Sequence, residues 1–336
     1  MSVDEMLTYL ATVAIEAKSR GVSTMAYMPF KGVEVAGPKR DFVGYGRHVP
    51  KVRWPNNARV AISLVLNYEE GSEYSHANGD GRNDGLTEVI YAMDPKYRDL
   101  CAESVFEYGS RAGIWRLERL FTELKIPITF YACAVALERN REVGAWIKEA
   151  GHEPCSHGWR WEEVWLLSRS EEMDHIRRAI DSIKETCGVR PVGWYCRYGP
   201  SVNTRELLVE EGGFVYDSDA YNDDLPYYAE VKGKRHLVVP YSMTYNDGKF
   251  GLLPSYGSPA DFLDNLKRGL DQLWDEGETH PRMMSIGLHP RLIGQASRIH
   301  ALRDFIEYAH KKGKVWFCRR IDIANWWNEN QGTFAS

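Results

Sequence analysis

One run constrains this chain more than any other: Ala61-Ile62-Ser63-Leu64-Val65-Leu66-Asn67-Tyr68-Glu69-Glu70-Gly71. It opens as an apolar stretch of strand length and closes on two adjacent carboxylates and a glycine. A strand of that kind is buried on both faces, as in a parallel sheet. Acids released into a glycine-opened loop then arrive at the sheet's carboxyl edge, where α/β proteins keep their chemistry. The plain alternative for a Glu pair is a solvated acidic turn. The absence of a neighbouring Lys or Arg, and the polar ends of the later strands, weigh against it.

Beyond that run, strand and helix patterns alternate. Apolar spacing predicts helices over 109–124, 142–150, 170–187, 205–211, 259–276 and 301–312. Strands are predicted over 126–134, 151–156, 191–195, 214–217, 237–240, 283–288 and 315–318. Repeated strand–helix units without a composition break define one α/β domain with a parallel sheet or barrel, and periodicity alone does not separate the two. Residues 1–38 read as an amphipathic helix followed by a Pro/Gly connector, an arm suited to packing or oligomer contact. The polar loop over 72–85, turning at Gly79-Asp80-Gly81, is long enough to cover a site or meet another subunit.

Composition removes several classes of function. The 336 residues are 43% hydrophobic and 26% charged, with a formal net charge of −5. That balance is ordinary for a globular enzyme and gives no footing for nucleic acid or an anionic membrane surface. No apolar run approaches the roughly 18 residues of a membrane span. Asp4, Glu5 and Glu16 in the first helix are unlike a secretory leader, and six scattered cysteines without CxxC pairs read as reduced thiols, so a cytoplasmic setting is expected. Neither GxGxxG after the first strand nor GxxxxGK[ST] is present, which leaves dinucleotide and P-loop readings without support.

The strand ends carry the chemistry. Successive predicted strands finish at Glu69-Glu70, His157, Arg197, Asp217/Asp219 and His289. One such His is ordinarily structural. Five polar ends on one rim are harder to place as structure, since buried charge is costly unless paired or used.

Gly151-His152-Glu153-Pro154-Cys155-Ser156-His157, taken with the acid pair, Arg197, Asp217-Ser218-Asp219 and Leu288-His289 in that order, resembles the NodB-type polysaccharide deacetylase superfamily. The resemblance runs from about residue 40 to 327 and implies a distorted (β/α) barrel over 39–330. Metal-dependent members of the superfamily resemble Asp-Asp at the first motif and carry a second His four residues after the first. Here those positions hold Glu69-Glu70 and Trp161. A catalytic zinc normally has three protein ligands and an open position. His157 and Glu70 alone remain at matching positions, so the resemblance implies no metal and no cofactor.

A metal-independent branch fits better. Asn67-Tyr68-Glu69-Glu70-Gly71, Tyr108-Gly109-Ser110-Arg111-Ala112-Gly113, Ser156-His157-Gly158-Trp159-Arg160-Trp161 and Pro290-Arg291-Leu292-Ile293-Gly294 resemble the allantoinases and related cyclic imide hydrolases. The segment Arg197-Tyr198-Gly199-Pro200-Ser201-Val202-Asn203-Thr204 is spaced differently from that pattern. The resemblance implies hydrolysis of a cyclic amide or imide, with Glu69 the first choice for the base and Glu70 the second. Neighbouring carboxylates raise one another's pKa and so tune a base. His289 is the acid or orienting group, and Arg197, held by Asp219, binds a ring carbonyl or the oxyanion. Trp159, Trp161 and Tyr195 sandwich the ring, His157 donates to substrate, and Arg160 or Arg291 meets a polar substituent. A homotetramer is implied as well. The rival readings are a metal-dependent carbohydrate N-deacetylase and a non-catalytic binding module.

Overall fold

Every position of β1, Val60–Tyr68, is buried, as an apolar run without alternation requires of a strand covered on both faces. This computed structural model describes residues 35–252 and 255–334, and the chain divides into compact units of 1–38 and 39–336. The helix expected in the N-terminal arm lies outside the described residues.

Within 39–336, nine strands form one sheet in the order β6-β7-β5-β4-β3-β2-β1-β8, with β9 also paired to β1. After β1 come β2 (Thr129–Ala132), β3 (Glu153–Ser156), β4 (Gly193–Trp194) and β5 (Tyr216–Asp217). They are followed by β6 (Tyr227–Val231), β7 (Lys234–Val238), β8 (Arg282–Leu288) and β9 (Val315–Phe317). All pairings are parallel except the β6–β7 hairpin. β1 is central: seven of its residues register with β8, its last four with β2 and its first three with β9.

The sheet is curled into the distorted barrel that the resemblance implied, and a single side chain shows how far. β7 and β8 stand near opposite ends of the strand order, yet the Arg320 guanidinium bonds across that gap. It donates to Ser285 Oγ on β8 at 2.5 Å, to the Pro240 carbonyl beyond β7 at 2.8 Å, to the Val239 carbonyl, and to Ser218 Oγ beyond β5 at 3.0 Å. A fully buried guanidinium is tolerated only where its donors are satisfied in this way. Asn246 adds a parallel bridge to Gly287 on β8.

Helices cover the sheet, and several differ from the sequence pattern in instructive ways. The helix predicted over 109–124 opens as a π-turn at Gly109–Gly113 and continues as Ile114–Leu124, and a helix that the pattern missed, Leu100–Tyr108, leads into it. The strand predicted over 126–134 stops early because Ala134–Arg139 is helical. The helix predicted over 170–187 begins at Arg169, since Ser168 closes a capping box with Glu171. Pattern also missed the edge strand β6, which is half-exposed and lacks the apolar alternation of a core strand, and the helix Arg320–Asn330. No helix among the described residues is long and apolar enough to cross a membrane.

Candidate active site

The carboxyl ends of β1, β3 and β8 deliver Glu69, His157 and His289 to one pocket of about 190 Å³. The three meet at a single atom. His157 Nε2 lies 3.3 Å and His289 Nε2 3.5 Å from Glu69 Oε1. Each imidazole is oriented from behind. His157 Nδ1 donates to the Tyr195 carbonyl at 2.8 Å, and its ring stacks on that of Tyr195 at a 9° interplanar angle. His289 Nδ1 is 2.6 Å from Asp247 Oδ1, while Asp247 Oδ2 accepts from the backbone N–H of His289 at 2.8 Å and of Ile293 at 3.1 Å. Asp247 is thereby locked to the loop that carries the histidine it orients. Sequence pattern did not find it, because it stands in an aperiodic stretch 42 residues upstream of its partner.

Charge is divided unequally between the two adjacent acids. Glu69 Oε2 accepts from Arg291 Nη1 at 2.8 Å. Burial by itself would raise the Glu69 pKa, but the Arg291 guanidinium and the two histidines outweigh it and hold the carboxyl well below its usual range. Glu70 faces away from the pocket. It accepts from its neighbour's N–H at 3.1 Å and from Arg291 N–H at 3.2 Å, with the Arg291 guanidinium 3.5 Å away. Burial, with the Glu69 charge adding to it, pushes Glu70 up to about 7. The mutual tuning expected of the pair is therefore corrected. The acid with the raised pKa is the one outside the pocket, and the pocket acid is held low by Arg291.

His289 shows the same competition. Burial alone would lower its pKa, and the Glu69 and Asp247 carboxylates override that and bring it to about 9. Below that value the ring is an imidazolium between two carboxylates, equipped to give a proton.

The remaining predicted residues sort into three places. Trp161, Tyr195 and Arg291 line the pocket with Glu69, His157 and His289. Arg197 and Arg160 instead fasten the 72–88 segment over it. Arg197 is bound to Asp84 at 2.5 Å and to the Trp161 carbonyl, and Arg160 to Asp80 at 2.7 Å. This corrects the pairing of Arg197 with Asp219, and it removes both guanidinia from the pocket wall. Of the loop expected over 72–85, Gly85 lines the pocket, and Leu86, Thr87 and Glu88 just beyond it do so as well, so it is the end of that loop and the residues after it that reach the site. Asp219 lies deeper, accepting from Cys196 N–H at 2.8 Å, with burial and the Asp217 charge raising it to about 7. Trp159 is half-buried against the core beneath the Arg178 guanidinium, 4.1 Å away, and takes no part in the pocket. His152 packs against Trp146 and Phe130, away from these groups.

The Gly-rich segment after Tyr108 has a steric purpose. A Cβ on Gly109 would sit 2.3 Å from Glu70 Oε1, and one on Gly113 2.1 Å from the Pro290 carbonyl. The π-turn thus lets a helix pass directly behind the two acids and the Arg291 loop. Gly109→Ala should cost about 1–3 kcal/mol in denaturant unfolding, the usual range for overpacking, and should lower activity with it. Unchanged values of both would show that the helix yields there.

A metal centre of the kind carried by metal-dependent relatives does not fit these residues. Trp161 stands where a second imidazole would be needed, and indole has no lone pair to coordinate. Its ring lies 3.8 Å from the Arg197 guanidinium carbon and 5.2 Å from that of Arg291, so the ligand position is flanked by two cations. Arg291 already occupies one oxygen of Glu69, and both histidines address the other. No group of three or more His, Cys, Asp or Glu suited to an ion occurs among the described residues.

A curled β/α barrel with an acid, two imidazoles and a guanidinium at the strand ends defines a NodB-type hydrolase. The family model for polysaccharide deacetylases matches residues 96–216. A Schizosaccharomyces pombe protein named for the polysaccharide deacetylases is 37% identical over 310 residues, 86% of this chain and 97% of its own. The chain belongs to the polysaccharide deacetylase family, and it is a hydrolase of carbon–nitrogen bonds other than peptide bonds. A peptidoglycan deacetylase of Helicobacter pylori is 32% identical over 227 residues, covering 65% of this chain and 67% of that one. Two crystal structures superpose with a TM-score of 0.83 over 86% of this chain: a probable polysaccharide deacetylase of Pseudomonas aeruginosa PAO1, 46% identical with 98% of its chain covered, and PuuE allantoinase, 45% identical with 97% covered.

Proposed function

We propose that this hydrolase opens a cyclic amide or imide ring of the hydantoin class by attack of water, without a metal. The observation that carries the reading is the placement of Trp161 and Arg291 around Glu69, which replaces an ion by a guanidinium. The match to PuuE allantoinase supports it. Ring amides of this kind have better leaving groups than ordinary amides, so acid–base catalysis alone is a reasonable source of rate.

In this reading Glu69 takes a proton from the attacking water as its oxygen bonds to the ring carbonyl carbon. The carbon–nitrogen bond then breaks, and the ring nitrogen receives a proton from the His289 imidazolium. Arg291 and His157 hold the Glu69 carboxylate in place, and the Arg291 guanidinium supplies positive potential where the carbonyl oxygen gains charge. Glu70 keeps Arg291 in position and does not meet substrate.

Turnover of a panel of hydantoins, dihydropyrimidines and succinimides tests the activity. Opening of one of these rings supports the reading, whereas release of acetate from N-acetylated oligosaccharides with no ring opening would replace it by the carbohydrate deacetylase reading, which the Helicobacter pylori relative favours. Inertness toward every compound in both sets would leave a binding module. Exhaustive chelation should leave ring-opening activity intact, with zinc, cobalt, nickel and manganese substoichiometric by elemental analysis; loss on chelation and recovery with one of those ions would reinstate a metal mechanism. A homotetramer belongs to the same reading, and sedimentation at micromolar concentration should show one. A monomer would count against it.

A further inference from the structure

The pocket changes character from its floor to its mouth. At the floor, Glu69, His157, His289 and Arg291 are each no more than 8% exposed and supply all the reacting charge. At the mouth stand Tyr198, Met243 and Leu252, large apolar side chains that are 45%, 47% and 41% exposed. Leu86 and Leu292 continue this surface inward. Apolar side chains scattered singly over a surface need no explanation, but three grouped around the opening of a reactive pocket do.

The polar groups along the same wall are already engaged. Both carboxylate oxygens of Glu88 accept from Arg298, one at 2.8 Å. The Tyr198 hydroxyl is bonded to Arg197, the Tyr195 hydroxyl lies 2.8 Å from that of Tyr221, and Thr87 Oγ accepts from Val89 N–H at 3.3 Å. Asn246 is spanned between the Tyr241 hydroxyl at 3.2 Å and Gly248 N–H at 2.7 Å. A polar ring substituent placed here would lose its water and find few partners in return. An apolar one would cover surface that otherwise faces solvent. Tyr198 is held in this position by a left-handed backbone at φ 56°, a conformation uncommon for an aromatic residue.

We infer that the substrate is a cyclic amide or imide bearing an apolar substituent, alkyl or aryl, which lies at the pocket mouth on Tyr198, Met243 and Leu252 while the ring carbonyl sits at Glu69. The inference rests on the ring-opening reading and narrows it. A ureido-substituted hydantoin such as allantoin, polar throughout, is then a poor substrate for this chain.

Three compounds share one ring and differ only in the substituent: hydantoin, 5-benzylhydantoin and 5-ureidohydantoin. The expected result is a kcat/KM for the benzyl compound at least about tenfold above unsubstituted hydantoin, the scale of hydrophobic-pocket discrimination, with the ureido compound below both. In the variants M243N and L252N the benzyl-to-hydantoin ratio should fall toward one. A preference for the ureido compound, or three values within about threefold of each other, would overturn the inference while leaving ring hydrolysis standing. If none of the three is opened, hydrolysis of the hydantoin ring fails, and calorimetric affinities for the same three compounds decide the mouth separately: tighter binding of the benzyl compound, weakened in M243N, supports it, and equal or reversed affinities sink it.

Discussion

Glu69→Gln is expected to fold, to bind a substrate analogue, and to lose about 10³- to 10⁴-fold in kcat, the upper part of the range for removing a general base. The substitution keeps shape and an acceptor oxygen for Arg291, whose guanidinium also retains Glu70 at 3.5 Å. What it removes is the negative charge that two imidazoles and a guanidinium converge on, together with the one carboxylate of the pair that lines the pocket. Because the wild-type carboxyl is held well below its usual range, Glu69 is ionised throughout the neutral region and should contribute no acid limb there. Stopped turnover with analogue affinity preserved by calorimetry is the result to look for. A variant with a near-parental rate would remove Glu69 from the chemistry.

Asp247→Asn should be nearly as damaging, about 10²- to 10³-fold in kcat, although Asp247 never meets the substrate. It holds His289 at Nδ1 and is itself fastened by two backbone N–H groups, so an amide there presents a donor where the ring needs an acceptor. The pH profile separates this positioning role from general loss of structure. His289 is protonated below about 9, so in the parent enzyme the rate should fall as pH rises through that value. Asp247 is one of the two carboxylates that raise His289 against the effect of burial. Removing its charge lowers that pKa, and the alkaline limb should move to lower pH. A lower rate with the limb unmoved would mean that Asp247 supports the loop only.

How much of this site could be read before folding depends on the kind of contact. The convergence of Glu69, His157 and His289 was legible because each follows a strand, and parallel strands deliver their carboxyl ends to one edge, whereas Arg291, expected at a polar substituent of the substrate, is bound to Glu69 and Glu70 instead. Arg197 and Arg160 were located in the right segments with the wrong employment. A guanidinium near an active site can face substrate or hold a loop, and only the position of Asp84 and Asp80 decides which. Trp159 and Trp161 are two residues apart, and one lies against Arg178 while the other lines the pocket. Side chains on an irregular loop have no fixed period by which their direction could be told.

The chain's sequence by itself determined the β/α alternation, the buried central strand, the family resemblance and the absence of a second imidazole at Trp161. These are local matters: apolar periodicity, strand length and the identity of one residue. Tertiary structure alone decided that β7 and β8 approach closely enough to share Arg320, that Arg291 divides its charge between two acids, and that Asp247 stands behind His289. The reason is physical. A pKa or a buried ion pair depends on distances of a few ångströms between residues as much as 222 positions apart, as Arg291 is from Glu69, and no spacing along the chain encodes them.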